Sequence, residues 1–245
     1  MGQKAALLLV AVRRGLILLL ALVLAACSTE HSSPVDAADH DAFYLWAGVR
    51  PQPVLDRAKT IYLLDGEVRA DNPARLVGLR PSAPRINHAE VWLVVRAARL
   101  DWGEGVHTAI ARDLRRWQAA GSKVVGLQVD FDAATPGLAD YAAFLRGLRQ
   151  RLPRQYRLSV TGLMDWSANA DPAALAQLKG VVDEVVVQSY QGTTTIPGYE
   201  RYLKRLARVP VPHRVALVQG GEWREPEGLR RDPLFTGYVV FLRNP

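Results

Sequence analysis

One cysteine, two methionines, five phenylalanines and five histidines are spread through 245 residues. A lone thiol excludes a disulfide framework and a cysteine-built metal cluster. His88, His107 and His213 stand far apart in the chain, so no histidine-based metal site is expected. No apolar run reaches the roughly 20 residues that span a bilayer. GxSxG, a phosphate-binding glycine loop, GxGxxG after a strand and HExxH are all missing. Serine-hydrolase, nucleotide and zinc-protease chemistries therefore find no support, and no cofactor is expected.

Acidic residues are also missing from the first 26 positions, which carry Lys4, Arg13 and Arg14. A wholly apolar run from Leu16 to Ala26 follows these charges. A basic start before a short apolar segment is the pattern of a secretory signal. The run ends Leu24-Ala25-Ala26-Cys27, which resembles the bacterial lipobox. The one cysteine is then the lipidated first residue of the mature chain. Ser28 follows it and no aspartate retention signal does. By resemblance to known sorting rules, the mature protein is expected on the outer membrane, anchored through lipid on Cys27 and facing the periplasm. Residues 27–40 are small, polar and aperiodic and read as a flexible tether. A single domain over 41–245 remains.

The whole chain has a formal net charge of +7. Removing residues 1–26 takes away three positive charges and no negative one, leaving +4. The arginines that remain recur at helical spacing, as in Arg112, Arg115 and Arg116, which suits a solvated helix face. No basic stripe interleaved with aromatics is present, so nucleic acid is not an expected partner. A monomer is expected.

From Phe43 onward, short runs rich in β-branched and aromatic residues recur. They predict strands at 43–48, 60–65, 90–96, 124–130, 156–162, 183–190, 213–219 and 237–242. Amphipathic patterns predict helices over 107–120, 138–151, 172–179 and 198–207, the third opened by Asp171 as N-cap and Pro172 at the first turn. Strands alternating with helices imply parallel pairing. Eight of them in about 200 residues fit a small (β/α)8 barrel of the TIM type. Residues 66–88, with Pro73, Gly78, Pro81 and Pro84, predict no helix, so the first third of the barrel is expected to be irregular. An open doubly wound sheet is the alternative architecture.

Barrel sites sit at strand C-termini. The fourth strand ends Gln128-Val129-Asp130-Phe131-Asp132, and alternation places Gln128, Asp130 and Asp132 on the lumen face. Two carboxylates there suggest acid–base chemistry or, as an alternative, oxygen ligation of a divalent cation. In the sixth strand Gln188 and Tyr190 share a face, with Gln191 opening the next loop. The fifth strand ends in Asp165-Trp166 and the seventh in Gln219-Gly220-Gly221-Glu222-Trp223. Each offers a carboxylate beside a tryptophan, and Trp46 ends the first strand. Tryptophan plates stack on sugar rings and carboxylates bind hydroxyls, so these residues suggest a glycan site. Asp65, Glu67 and Arg96 are further candidates.

Several of these strings resemble a known family. LQVDFDAAT, LSVTGLMDW, VVDEVVVQSYQGTTTIPGY, ALVQGGEW and GYVVFLRNP together resemble the bacterial domain-of-unknown-function family numbered 3142, across most of residues 43–245. VDFD and QSYQ also look like the corresponding blocks of family-18 chitinase-like barrels. That likeness implies a glycosidase site in which Asp130 and Asp132 match the paired aspartates after strand four. Tyr190 matches the tyrosine after strand six. The proton-donor position falls on Ala134 and the strand-six aspartate is Gln191. On this reading Asp132 is the carboxylate at the reacting centre, oriented by Asp130, and Glu222 or Asp165 donates the proton. Tyr190, Gln188, Gln191 and Gln219 would hold the sugar, and Trp46, Trp166 and Trp223 would stack on it. The alternatives are a non-catalytic glycan-binding or scaffold lipoprotein and a cation-dependent phosphoester hydrolase.

Overall fold

The computed structural model describes residues 32–244. The lipobox, Cys27 and the start of the expected tether lie outside the described residues. Eight parallel strands form the frame: β1 (Ala42–Leu45), β2 (Thr60–Val68), β3 (Glu90–Ala97), β4 (Val124–Asp130), β5 (Arg157–Leu163), β6 (Glu184–Gln188), β7 (His213–Val218) and β8 (Phe235–Phe241). Each pairs with its sequence neighbours. Tyr44 of β1 lies opposite Tyr62 of β2 and also opposite Phe241 of β8, which closes the cylinder. Closure excludes the open sheet and establishes the TIM-type barrel.

Period-two alternation sorts the side chains. Phe43, Ile61, Leu93, Leu127, Val129, Val160, Val185 and Leu217 point outward into one core beneath the helices. Tyr44, Tyr62, Trp92, Val94, Val186, Ala216 and Val239 fill the lumen. Tyr62 and Trp92 stack with ring centroids 6.0 Å apart and planes within 3°. The Arg157 guanidinium lies 4.8 Å from the Trp92 ring centre. At the N-terminal end of the lumen Glu184 is held by three donors: Tyr62 Oη at 2.7 Å, Ser159 Oγ at 3.0 Å and Arg214 Nε at 3.0 Å. The barrel interior is thus packed, not a pore.

The irregular first third expected from the prolines is present. β1 and β2 are joined through a 3-10 turn, Pro53–Arg57, and β2 and β3 through a short antiparallel strand, Leu76–Gly78, laid against the end of β2. Full helices follow only the next two strands: α1 (Glu104–Ala119) and α2 (Leu138–Arg151). Their buried faces are Val106, Ile110, Leu114 and Trp117, and Leu138, Tyr141, Leu145 and Leu148. After β5 come α3 (Asp165–Asn169) and α4 (Pro172–Ala176). The Asp171 side chain accepts from Ala173 N at 2.9 Å, as the N-cap reading required. α4 stops short of the expected 179, in a turn that leads to Gly180 at φ 75°. α5 (Tyr199–Leu203) also ends early and continues as a 3-10 turn, Leu206–Arg208, just before Pro210.

One boundary needs correction. Residues 33–40 were expected to belong to the tether, yet they pack on the barrel. Ser33 and Pro34 pair antiparallel with Trp223 and Glu222. Val35 N donates to Gly221 O at 2.9 Å and Val35 O accepts from Gly220 N at 2.9 Å. Val35 and Ala37 are buried. Arg57 also donates to the Ala37 and Ala38 carbonyls.

Candidate functional site

Above the C-terminal ends of β3 to β6 lies a cavity of about 560 Å³. Its polar wall carries Arg96, Asp132, Asp165, Gln188, Tyr190 and Gln191, and its apolar wall carries Leu163, Met164, Ile196 and Tyr202. A second cavity of about 460 Å³ adjoins Glu67, Arg69, Asp130 and Phe131. Arg96 and Asp132 line both. Among the described residues no group of three or more histidine, cysteine, aspartate or glutamate side chains is placed to hold a metal ion.

Asp130 closes β4 facing the lumen, as alternation predicted, with its side chain 12% exposed. Thr161 Oγ1 of the neighbouring strand donates to Asp130 Oδ1 at 3.0 Å and accepts from Phe131 N at 3.2 Å. Burial is the largest influence on Asp130 and holds its carboxyl above the ordinary range. The Thr161 hydrogen bond and the Arg96 charge oppose that rise, and the Asp132 charge adds to it. Arg96 Nε lies 3.9 Å from Asp130 Oδ2. Asp132, two residues on, is exposed on the wall shared by the two cavities.

Tyr190 is buried among Tyr44 and Phe241, its ring 5.4 Å from Phe241. Burial raises its phenol well above the ordinary range, partly offset by a hydrogen bond from Gln188. The hydroxyl therefore stays protonated and available as a donor. Asp165 opens α3, and its carboxylate accepts from the Thr135 hydroxyl and the Asn169 amide. Asp132, Asp165, Gln188, Tyr190 and Gln191 thus come together on one cavity.

The other expected residues stand elsewhere. Trp166 is 0% exposed, packs in the outer core near Tyr141, and donates from Nε1 to Ala133 O at 2.8 Å. It is a core residue, not a sugar plate. A helix begins at Asp165, so strand alternation no longer governs the residue after it. Trp223 stacks on Tyr199 at 4.6 Å and meets Tyr238 edge-on at 5.7 Å. Glu222 is exposed on the short strand paired with Pro34 and does not line the cavity that holds Asp132. Gln219 lies in a third cavity, where it exchanges 3.0 Å hydrogen bonds with Gln52 and accepts from Arg243 N. Trp46 meets Tyr44 and Phe241 edge-on at the top of the lumen. Asp65 faces outward, where it accepts from Trp117 Nε1 at 2.9 Å.

Tyr202 and Met164 belong to the cavity wall without having been singled out. Tyr202 sits in an amphipathic helix where an aromatic reads as core. Met164 follows a strand in a segment with no periodicity.

The family model of a domain of unknown function (DUF3142) matches residues 84–198. That span runs from just before β3 to the start of α5 and includes most of the cavity wall. No curated protein matches the chain in sequence. Among solved structures, the spore cortex-lytic enzyme SleL of Bacillus cereus aligns with a TM-score of 0.51 and 18% identity, over 72% of this chain and 50% of that one. The present chain therefore spans half the length of SleL. The tamarind chitinase-like lectin aligns with a TM-score of 0.50 and 11% identity, over 82% of this chain and 94% of that one. At these identities the likeness establishes the chitinase-like barrel fold.

Proposed function

We propose that this protein is a lipid-anchored envelope protein that binds a polysaccharide in the cavity at the mouth of its barrel. One observation carries the reading. Asp132, Gln188, Gln191 and the protonated Tyr190 converge on one cavity of about 560 Å³ that also has an apolar wall. Carboxylate and amide acceptors with amide and phenol donors suit sugar hydroxyls, and Ile196, Met164 and Tyr202 suit the apolar faces of the rings. A lectin and a lytic enzyme among the similar folds are consistent with a glycan ligand.

Binding is favoured over hydrolysis by the residue at position 134. An alanine there donates no proton, and Glu222 does not share the cavity. The observation on the side of hydrolysis is Asp165, which lines the same wall as Asp132. Both readings meet one experiment. The mature protein is titrated calorimetrically with neutral, N-acetylated and acidic oligosaccharides, and the same mixtures are assayed for new reducing ends. Saturable binding that is lost in Asp132→Ala and weakened in Tyr190→Phe is expected. Release of reducing ends that disappears in both Asp132→Asn and Asp165→Asn establishes catalysis instead. Failure of every sugar to bind the folded protein overturns the proposal.

The anchor part of the proposal rests on the basic start, the short apolar run and Cys27 as the one cysteine. Cys27→Ser is expected to abolish incorporation of labelled fatty acid and to release the protein from the membrane fraction. Retention of label in that variant overturns it.

A further inference from the structure

Arg96, the next-to-last residue of β3, lies on the wall that the two mouth cavities share. Arginines that brace this fold commit their donors to protein acceptors. Arg80 donates to Leu64 O at 3.1 Å and Leu45 O at 3.0 Å, and Arg208 donates to Ala168 O at 3.0 Å. Arg96 makes no such bond among the described residues. Its side chain is 58% exposed, and its one ion pair, to Asp130, is 3.9 Å long, beyond hydrogen-bond reach.

The surrounding charges sharpen the point. Arg69 is engaged by Glu67 in an ion pair. The Asp165 carboxylate already accepts from Thr135 and Asn169. The Asp130 carboxylate already accepts from Thr161 and keeps 3.9 Å from Arg96 Nε. Asp132 stands beside Arg96 on the same wall with no hydrogen-bond partner of its own among the described residues. Among the described residues the mouth thus presents a five-donor fork with no acceptor at hydrogen-bond distance, next to an acceptor with no donor. A neutral sugar satisfies the acceptor through its hydroxyls but offers the fork only single, uncharged acceptors. A sugar that carries a carboxylate satisfies both, because a planar carboxylate accepts two parallel hydrogen bonds from a guanidinium.

We propose, resting on the glycan reading above, that Arg96 is the specificity-determining residue of the site and selects a polysaccharide whose sugars bear carboxylates. The ligand class is an acidic glycan, with the carboxylate on Arg96 and ring hydroxyls on Asp132.

The test uses two pairs of probes, one member of each carrying carboxylates and the other none. One is trigalacturonate against its methyl ester. The other is N-acetylglucosaminyl-N-acetylmuramic acid against diacetylchitobiose. Calorimetry on the full mature protein at fixed ionic strength is expected to give the acidic member of at least one pair an affinity about tenfold higher or more. In Arg96→Gln the ratio within that pair falls to near one. Arg96→Lys keeps part of it, since the charge survives and the fork does not. Circular dichroism and melting curves establish that both variants are folded. Equal affinity for acidic and neutral members, or a preference that survives Arg96→Gln, overturns the assignment while the glycan reading stands. Failure of all four probes to bind the folded protein, with neutral sugars of the wider panel also inert, overturns the glycan reading and this one with it.

Discussion

Thr161 donates a 3.0 Å hydrogen bond to the Asp130 carboxylate across adjacent strands, and the same oxygen accepts from the backbone of Phe131. One hydroxyl therefore ties the turn after β4 to the carboxyl whose proton affinity is already raised by burial. The sign of its effect on stability follows from linkage. The folded protein holds the Asp130 proton to higher pH than the unfolded chain, whose carboxyl titrates near 3.8. Between those two values the folded form binds more protons, so this group's contribution falls as pH rises. Asp130→Asn has no such titration. Its stability relative to the parent is expected to improve as pH rises above about 4 in urea melts. Thr161→Val removes the bond that favours the charged form, at a cost of about 1.5–3 kcal/mol at neutral pH, and extends the fall to higher pH. A parent protein that gains on Asp130→Asn as pH rises contradicts this account.

Asp132 and Trp166 came out of the sequence as neighbours at one rim, and the fold places the first on the cavity and the second in the outer core. Trp166→Ala is expected to cost about 3–5 kcal/mol, because it empties a fully buried site. Tm should fall by about 2–4 °C for each kcal/mol. Asp132→Asn removes an exposed, unbonded carboxylate, so its stability change should stay within about 0.5 kcal/mol while glycan affinity drops. Thermal melts run beside binding isotherms separate the two. An unchanged melting curve for Trp166→Ala contradicts its assignment to the core.

The strands were legible because period-two alternation repeats eight times between turn signals, and the four helices after β3, β4, β5 and β6 because their apolar faces recur at three and four. Lumen-facing Gln128 and Asp130 followed from the same parity. Glu222, Trp223 and Trp166 did not, since each lies past the last residue of its barrel strand. There the chain turns into a helix or a cross-strand pair, and side-chain direction no longer follows from counting. The docking of Val35 and Ala37 was hidden for a different reason. Its partners, Gly220 and Gly221, lie far along the chain and contribute only backbone groups. Arg96 was visible as a strand-end residue, but its unfilled donors are a property of three dimensions.

At the opposite end of the lumen, Glu184 depends on Arg214 for charge and on Tyr62 and Ser159 for its remaining hydrogen bonds. Its side chain is 11% exposed. Arg214→Met leaves that carboxylate without its cation and is expected to cost about 3 kcal/mol or more. Adding Glu184→Gln to the same chain should recover part of the loss, since no buried charge then remains. Denaturant midpoints for the two single variants and the double one give the coupling directly. Additive losses show that the pair is independent and refute the argument.

Gly126 faces the lumen on β4, in line with Gln128 and Asp130, and its role is steric. A Cβ there would sit 2.3 Å from Arg157 O and 2.6 Å from the Trp92 ring. Neither obstacle moves freely. The carbonyl belongs to β5, which pairs with β4 at Gly126 itself, and the ring is stacked on Tyr62 beneath the Arg157 guanidinium. Gly162, on β5, provides the control. A Cβ at that position meets a Val185 methyl at 2.8 Å and the Trp166 ring at 3.1 Å, side-chain atoms rather than backbone. Gly126→Ala is therefore expected to lose about 3 kcal/mol or more, and Gly162→Ala about 1–2 kcal/mol. Because the nearest atom to the new methyl is backbone, Trp92→Leu should not rescue Gly126→Ala. Near-ultraviolet circular dichroism should report the displaced Trp92–Tyr62 stack in Gly126→Ala and leave it intact in Gly162→Ala. Equal losses in the two alanine variants contradict the steric reading, and rescue by Trp92→Leu makes the ring, rather than the strand, the obstacle.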